Sequence, residues 1–152
     1  MNKNNWFLFI VCTLILLTSC ENDDICVEPG TPLIHITFHD AEFRELRKPV
    51  NSLTVSSQDY GNYIQNSTTD SIAIPMDLTL NTTPYTFESE DIDNDLEFSY
   101  DKQDEFVSRA CGYKSTFYNL DLVLLKQTWI ESFEIINSEI LDDSTTAIKI
   151  YH

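Results

Sequence analysis

Apolar and polar residues alternate with a period of two along much of this chain, the pattern of half-buried strands. Over residues 33–39, Ile34, Ile36 and Phe38 share one face, and His35, Thr37 and His39 share the other. Leu53-Thr54-Val55 is a short second strand. Ile72, Ile74, Met76 and Leu78 lie on one face of a third. Pro75 within that run has no N–H for a ladder, so this strand belongs at an edge or on a bulge. Tyr85-Thr86-Phe87, after Pro84, makes a fourth. Leu96, Phe98 and Tyr100 mark a fifth and residues 106–114 a sixth, and residues 147–151 close the chain with Ile148 and Ile150 on one side. Only Gly30, Gly61 and Gly112 are glycines, so the turns must be built from Asn, Asp and Ser.

One stretch carries two periods at once. Leu122, Leu125, Trp129, Phe133 and Ile136 fall at helical spacing, yet residues 129–136 are rich in aromatic and β-branched side chains. Their composition predicts a strand over 129–136. About seven short strands and no internal repeat predict an all-β fold, an antiparallel β-sandwich of immunoglobulin-like size with one disulfide.

The N-terminus departs from this alternation. Residues 6–17 are a continuous apolar run behind Lys3. A spanning helix needs roughly 20 apolar residues, so the run reads as a secretory signal over residues 1–19. It ends in Leu17-Thr18-Ser19-Cys20, which resembles the lipobox cut by lipoprotein signal peptidase, with Cys20 as the lipidated residue. An ordinary signal peptide beside a chance cysteine is the competing reading. Residues 20–25 form a short acidic tether, and residues 26–152 form a single domain. Glu21, Asp23 and Asp24 resemble the export signal that routes lipoproteins of Bacteroidetes to the cell surface. The expected location is therefore the outer membrane, held by lipid. No second apolar segment follows, so lipid is the expected anchor.

Charge and cysteine count narrow the classes further. Without Lys3, eight Lys and Arg face 25 Asp and Glu, a net charge of −17. That acidity disfavours nucleic acid and anionic headgroups as partners. With Cys12 lost to the signal and Cys20 lipidated, Cys26 and Cys111 remain and are expected to pair in an oxidising compartment. A reactive Cys111 thiol is the alternative. Six peptide steps separate Cys20 from Cys26 and reach at most about 20 Å. A domain held so close to the bilayer is expected to meet a membrane-associated protein or a surface glycan.

Candidate chemistry is sparse. Asp91, Asp93 and Asp95 alternate like calcium ligands, but Leu96 and Lys102 stand where an EF-hand needs Gly and Glu. An acidic connection between strands explains them equally, and no metal or other cofactor is expected. His35 and His39, four apart in a strand, lie about 13 Å apart, too far to share one metal ion. Both are expected to be exposed. Arg44, Arg47 and Lys48 form the basic cluster, either a site for an acidic partner or a solvated loop. Tyr60 and Tyr63 could stack on sugar rings, or pack on their own loop. Ser71 and Ser144 sit in Asp-Ser-Ile and Asp-Ser-Thr, which resemble the O-glycosylation motif of exported Bacteroidetes proteins. The chain has no Gly-x-Ser-x-Gly, His-Glu-x-x-His or Gly-rich phosphate loop.

A set of segments together carries a resemblance. These are the lipobox cysteine, Ile25-Cys26-Val27, the strand of Ile34, Ile36 and Phe38 followed by Asp40, Phe106-Val107-Ser108-Arg109-Ala110-Cys111-Gly112, Trp129-Ile130, and Ile148-Lys149-Ile150. They resemble an uncharacterised lipoprotein family of Bacteroidetes, a domain of unknown function. That resemblance implies a location and a small β-rich domain, and no catalytic residue. The expectation is a non-catalytic accessory or interaction module, with a glycan-binding lipoprotein and a hydrolase with a long-range triad as alternatives.

Overall fold

In a computed structural model the described residues, 25–58 and 61–152, form nine strands in two sheets. Four make one sheet in the order β4-β1-β9-β8: β1 (Ile34–His39), β4 (Ser71–Ile74), β8 (Ser132–Ile135) and β9 (Ile148–Tyr151). Five make the other in the order β3-β2-β5-β6-β7: β2 (Val50–Ser57), β3 (Gly61–Thr69), β5 (Thr82–Ser89), β6 (Ile92–Ser108) and β7 (Gly112–Lys126). All pairs are antiparallel except β1 with β9, which run parallel with Ile36 opposite Ile148. The all-β sandwich with a single disulfide thus matches the expectation, with more strands and one parallel pair.

Period-two burial explains how each strand chooses its face. Along β6, Asn94, Leu96, Phe98 and Tyr100 point inward while Asp93, Asp95, Glu97 and Ser99 point out. Tyr85 and Phe87 of β5 and Leu53 and Val55 of β2 complete that sheet's inner face. Opposite them lie Ile34, Ile36, Phe38, Ile72, Ile74, Ile148 and Ile150 from the smaller sheet. Edge-on aromatic contacts fill the middle, Tyr85 against Phe98 at 5.8 Å and Tyr100 against Phe117 at 5.1 Å.

Irregularities re-aim the long strands. Two residues of β7, Asn119 and Leu120, oppose Tyr100 in a bulge, with Asn119 at φ 52°. The extra residue keeps both Phe117 and Leu120 facing the core, three positions apart. The helical spacing of Leu122, Leu125, Trp129, Phe133 and Ile136 is not a helix: the stretch is strand to Lys126, with Leu122 buried and Leu125 and Ile136 exposed. Trp129 and Ile130 then lie in a connection, and β8 starts only at Ser132. The β5–β6 turn is Glu90-Asp91, both at positive φ, a type I′-like turn made without glycine.

Three segments differ from expectation. Residues 106–114 are not a separate strand: they end β6, turn at 109–111, and start β7. The run around Pro75 stops at Ile74, and β4 is an edge strand, as a proline requires. Pro84 lies inside β5 opposite Glu97, beyond the Thr86–Glu88 stretch that pairs with β2.

Candidate functional site

The β6–β7 hairpin outruns the rest of its sheet. Beyond Ser99 and Asp121 its two strands pair with each other down to Ser108 opposite Gly112, and β7 also makes an isolated bridge from Phe117 to Ile140. At the turn, Ser108 Oγ accepts a hydrogen bond from the Cys111 backbone N–H at 3.0 Å, and Gly112 takes φ 72°. Cys111 is bonded to Cys26 with a Cα–Cα distance of 4.8 Å, so the expected disulfide fastens the start of the domain to the hairpin tip. The incoming chain is held again where Ser115 N–H donates to Thr31 Oγ1 at 2.9 Å. Leu33 N–H donates to Asp143 at 2.7 Å, and β1 follows.

Side chains at the tip are apolar and outward. Phe106 and Tyr113 face each other across the hairpin with ring centroids 5.3 Å apart. Ile25, Val27, Phe106 and Val107 line an open groove of about 440 Å³ with Lys114 and Cys111. The charges here balance: Lys114 approaches Glu105 at 3.8 Å, and Lys102 approaches Asp104 at 2.8 Å. The Asp104 carboxyl, hydrogen-bonded by Lys102 and by Ser115 Oγ at 2.6 Å, is held below the ordinary carboxylate range. This tip was legible in the sequence only in part. Cys26 and Cys111 marked it, but Phe106 and Tyr113 were read as strand residues rather than as an exposed pair.

The opposite end of the sandwich carries the basic loop, residues 40–49. Its cations are engaged within the domain. Arg44 lies 4.4 Å over the Tyr151 ring, Arg47 is 3.5 Å from Asp70, and Lys48 is 3.6 Å from Asp40 and donates to the His152 carbonyl at 2.6 Å. The loop covers His39, which is 5% exposed and so is not the exposed histidine its strand position suggested. His39 shares a 3.0 Å hydrogen bond with Thr37 Oγ1, and desolvation lowers its pKa. His152 packs edge-on against Trp129 and Phe38, donates from Nε2 to the Lys48 carbonyl, and is likewise lowered by burial. His35, on the outer face of β1, lies 3.9 Å from Asp143.

The other candidates are dispersed. Asp91 is in the β5–β6 turn, while Asp93 and Asp95 lie in β6 rather than in a loop. Asp93 is ion-paired to Lys126 at 2.5 Å, which lowers its pKa, and Asp95 accepts from Thr86 Oγ1 at 2.8 Å. Tyr63 is a β3 residue with its ring edge-on to Tyr85 at 5.7 Å. Tyr60 and Cys20 lie outside the described residues. Ser71 is exposed at the start of β4, and Ser144 is exposed in a loop where its N–H donates to Asp142 at 2.8 Å.

No match is found among curated proteins or among solved structures. Residues 52–152, from within β2 through Cys111 to the last residue, match the family of unknown function DUF6452, and the chain therefore belongs to that family.

Proposed function

We propose that this protein is a lipid-anchored lipoprotein of the Bacteroidetes type, serving as a non-catalytic accessory or interaction module at the outer membrane. One observation carries the reading. The lipobox Leu17-Thr18-Ser19-Cys20 stands six residues before Cys26, the residue that bonds the chain to the hairpin tip. A lipid on Cys20 would therefore hold a folded, stapled domain within about 20 Å of the bilayer, whatever path the tether takes. The non-catalytic part of the reading draws support from the hydroxyl–imidazole contact that the described residues make. Thr37 and His39 are 4% and 5% exposed, beneath the basic loop, where a substrate would have to displace that loop to reach them.

The test is Cys20→Ser in the producing bacterium. The wild-type chain is expected to take up labelled palmitate and to pellet with membranes, and the variant to do neither. A variant that still labels and pellets would refute the anchor. Proteolysis of intact cells then separates the cell-surface location from the inner face of the outer membrane.

A further inference from the structure

We propose that the disulfide-bonded hairpin tip is a second membrane contact, inserting Ile25, Val27, Phe106 and Tyr113 into the interfacial layer of a zwitterionic bilayer. The proposal rests on the lipid-anchor reading and adds to it the surface that touches lipid.

The first support is exposure where none is needed for folding. Ile25, Val27, Phe106 and Tyr113 are 78%, 84%, 55% and 73% exposed, yet sit around one groove and one hairpin turn. Grouped exposed apolar side chains mark interaction surfaces, whereas scattered ones do not. An aromatic pair with a tyrosine hydroxyl suits the interface, where one end of a side chain is apolar and the other wet. The second support is where the chain leads. Ile25 is separated by four residues from Cys20, so the surface at this tip is the part of the domain closest along the chain to the anchor. The third is charge. Lys102, Arg109 and Lys114 balance Asp101, Asp104 and Glu105, which leaves Glu28 as a single excess charge, in a chain whose net charge is −16. Repulsion of the whole domain from anionic headgroups is screened over about 8 Å at physiological salt, so a nearly neutral tip can approach a surface that the body avoids. Glu21, Asp23 and Asp24 in the tether then favour a zwitterionic over an anionic surface.

The chain supplies its own control for the test. Of its two tryptophans, Trp6 leaves with the signal, and Trp129 sits beside Phe38 and His152 at the other end of the sandwich. Lipidated protein with Phe106→Trp is reconstituted into phosphatidylcholine vesicles with or without brominated acyl chains. Brominated chains are expected to quench the emission added at position 106 and to leave the wild-type emission from Trp129 unchanged. Adding Tyr113→Ser should reduce that quenching, and phosphatidylglycerol in the vesicles should reduce it further. A palmitate-labelled protein whose position 106 is not quenched overturns the tip contact and leaves the anchor standing. An unlabelled protein overturns both. Stronger quenching with phosphatidylglycerol would mean that Arg109 and its neighbours bind headgroups by charge, which also overturns the proposal. Unchanged melting of the Phe106→Trp protein under non-reducing conditions shows that the fold and the disulfide are intact.

Discussion

Removing the disulfide with Cys26→Ser and Cys111→Ser tests what that bond does for stability. The two residues are 85 apart in sequence. Closing a loop of that length in the unfolded chain accounts for about 4.5 kcal/mol at 25 °C in the chain-entropy model. The folded protein does not return all of this. Residues 25–30 belong to no strand and are exposed, and the first hydrogen bond that holds the incoming chain is at Thr31. Cutting the bond therefore frees a short native segment of about five residues, whose closure had its own cost in the folded state. The net effect is set by the ratio of the two loop lengths, and it comes to about 2.5 kcal/mol by the logarithmic closure law. For a domain of roughly 130 residues this lowers Tm by roughly 9 °C. Urea titration at 25 °C of the soluble domain, with and without the bond, measures it. The m-value should rise as well, because the unlinked chain exposes more surface on unfolding. A loss under about 1 kcal/mol would refute the loop-closure account, and a loss of the full 4.5 kcal/mol or so would show that residues 26–30 are held by contacts of their own.

Tyr100→Phe opens a buried ring of hydrogen bonds. The Asp77 N–H donates to Thr83 Oγ1 at 2.9 Å, the Thr83 hydroxyl is 2.8 Å from the Tyr100 hydroxyl, and the latter donates to the Asp77 carbonyl at 2.7 Å. Losing it should lower stability by about 1–3 kcal/mol in the same titration, and no loss would show that the ring is dispensable. His39 and His152 are both held below the ordinary histidine pKa of 6.5 by burial. The unfolded chain therefore binds more protons than the folded one below that value, so stability should be full above pH 6.5 and fall as pH drops beneath it. Melts from pH 7.5 to 5 check this, and His152→Gln should flatten the slope. Calcium at about 1 mM should leave Tm unchanged, because Asp93 and Asp95 already serve Lys126 and Thr86. A site with a Kd of about 10 μM would instead add roughly 2.7 kcal/mol, visible as a shift of several degrees.

Strand faces were readable because burial on a two-layer sandwich imposes a period of two: Leu96, Phe98 and Tyr100 obey it without interruption, and Ile34, Ile36 and Phe38 keep to the inner face although Thr37 and His39 between and after them are covered as well. The β6–β7 hairpin was misread for a physical reason. Residues 103–106 of β6 are all exposed, so Asp104, Glu105 and Phe106 need not alternate, and the pattern vanishes although the strand continues. The helix-like spacing from Leu122 to Ile136 was a coincidence of sequence, since Leu125 and Ile136 are exposed and do not share a face with buried Leu122. His39 looked exposed because alternation reports the sheet, not the loop 40–49 that folds over its outer face. The disulfide was legible from cysteine count once Cys12 and Cys20 are assigned to the proposed signal and lipobox. What Cys26 is tied to was not, since nothing local in residues 108–112 says that they form the far end of the longest hairpin.

That far end gives the domain a direction. β6 is 17 residues long, so its two ends are about 50 Å apart. With the tip at a bilayer, the Glu90-Asp91 turn, the basic loop and the C-terminus stand away from it, well beyond the roughly 8 Å over which surface charge is felt. Three of the nine basic residues lie within residues 102–114, so acidic excess is concentrated in the rest of the chain. An anionic surface therefore repels the body more than the tip, which favours the tip-down orientation even before any apolar side chain touches lipid. The same geometry bears on where the proposed partner would dock. A short tether argues for a partner at the membrane face, but the loop that offers Phe43 and Leu46, both more than half exposed, is at the end remote from the tip. Because Arg44, Arg47 and Lys48 are already engaged with Tyr151, Asp70 and Asp40, that loop would present apolar surface on a fixed frame rather than free positive charge. A partner reaching it must extend tens of ångströms from the bilayer, and one selected for acidity alone would find its counter-charges occupied.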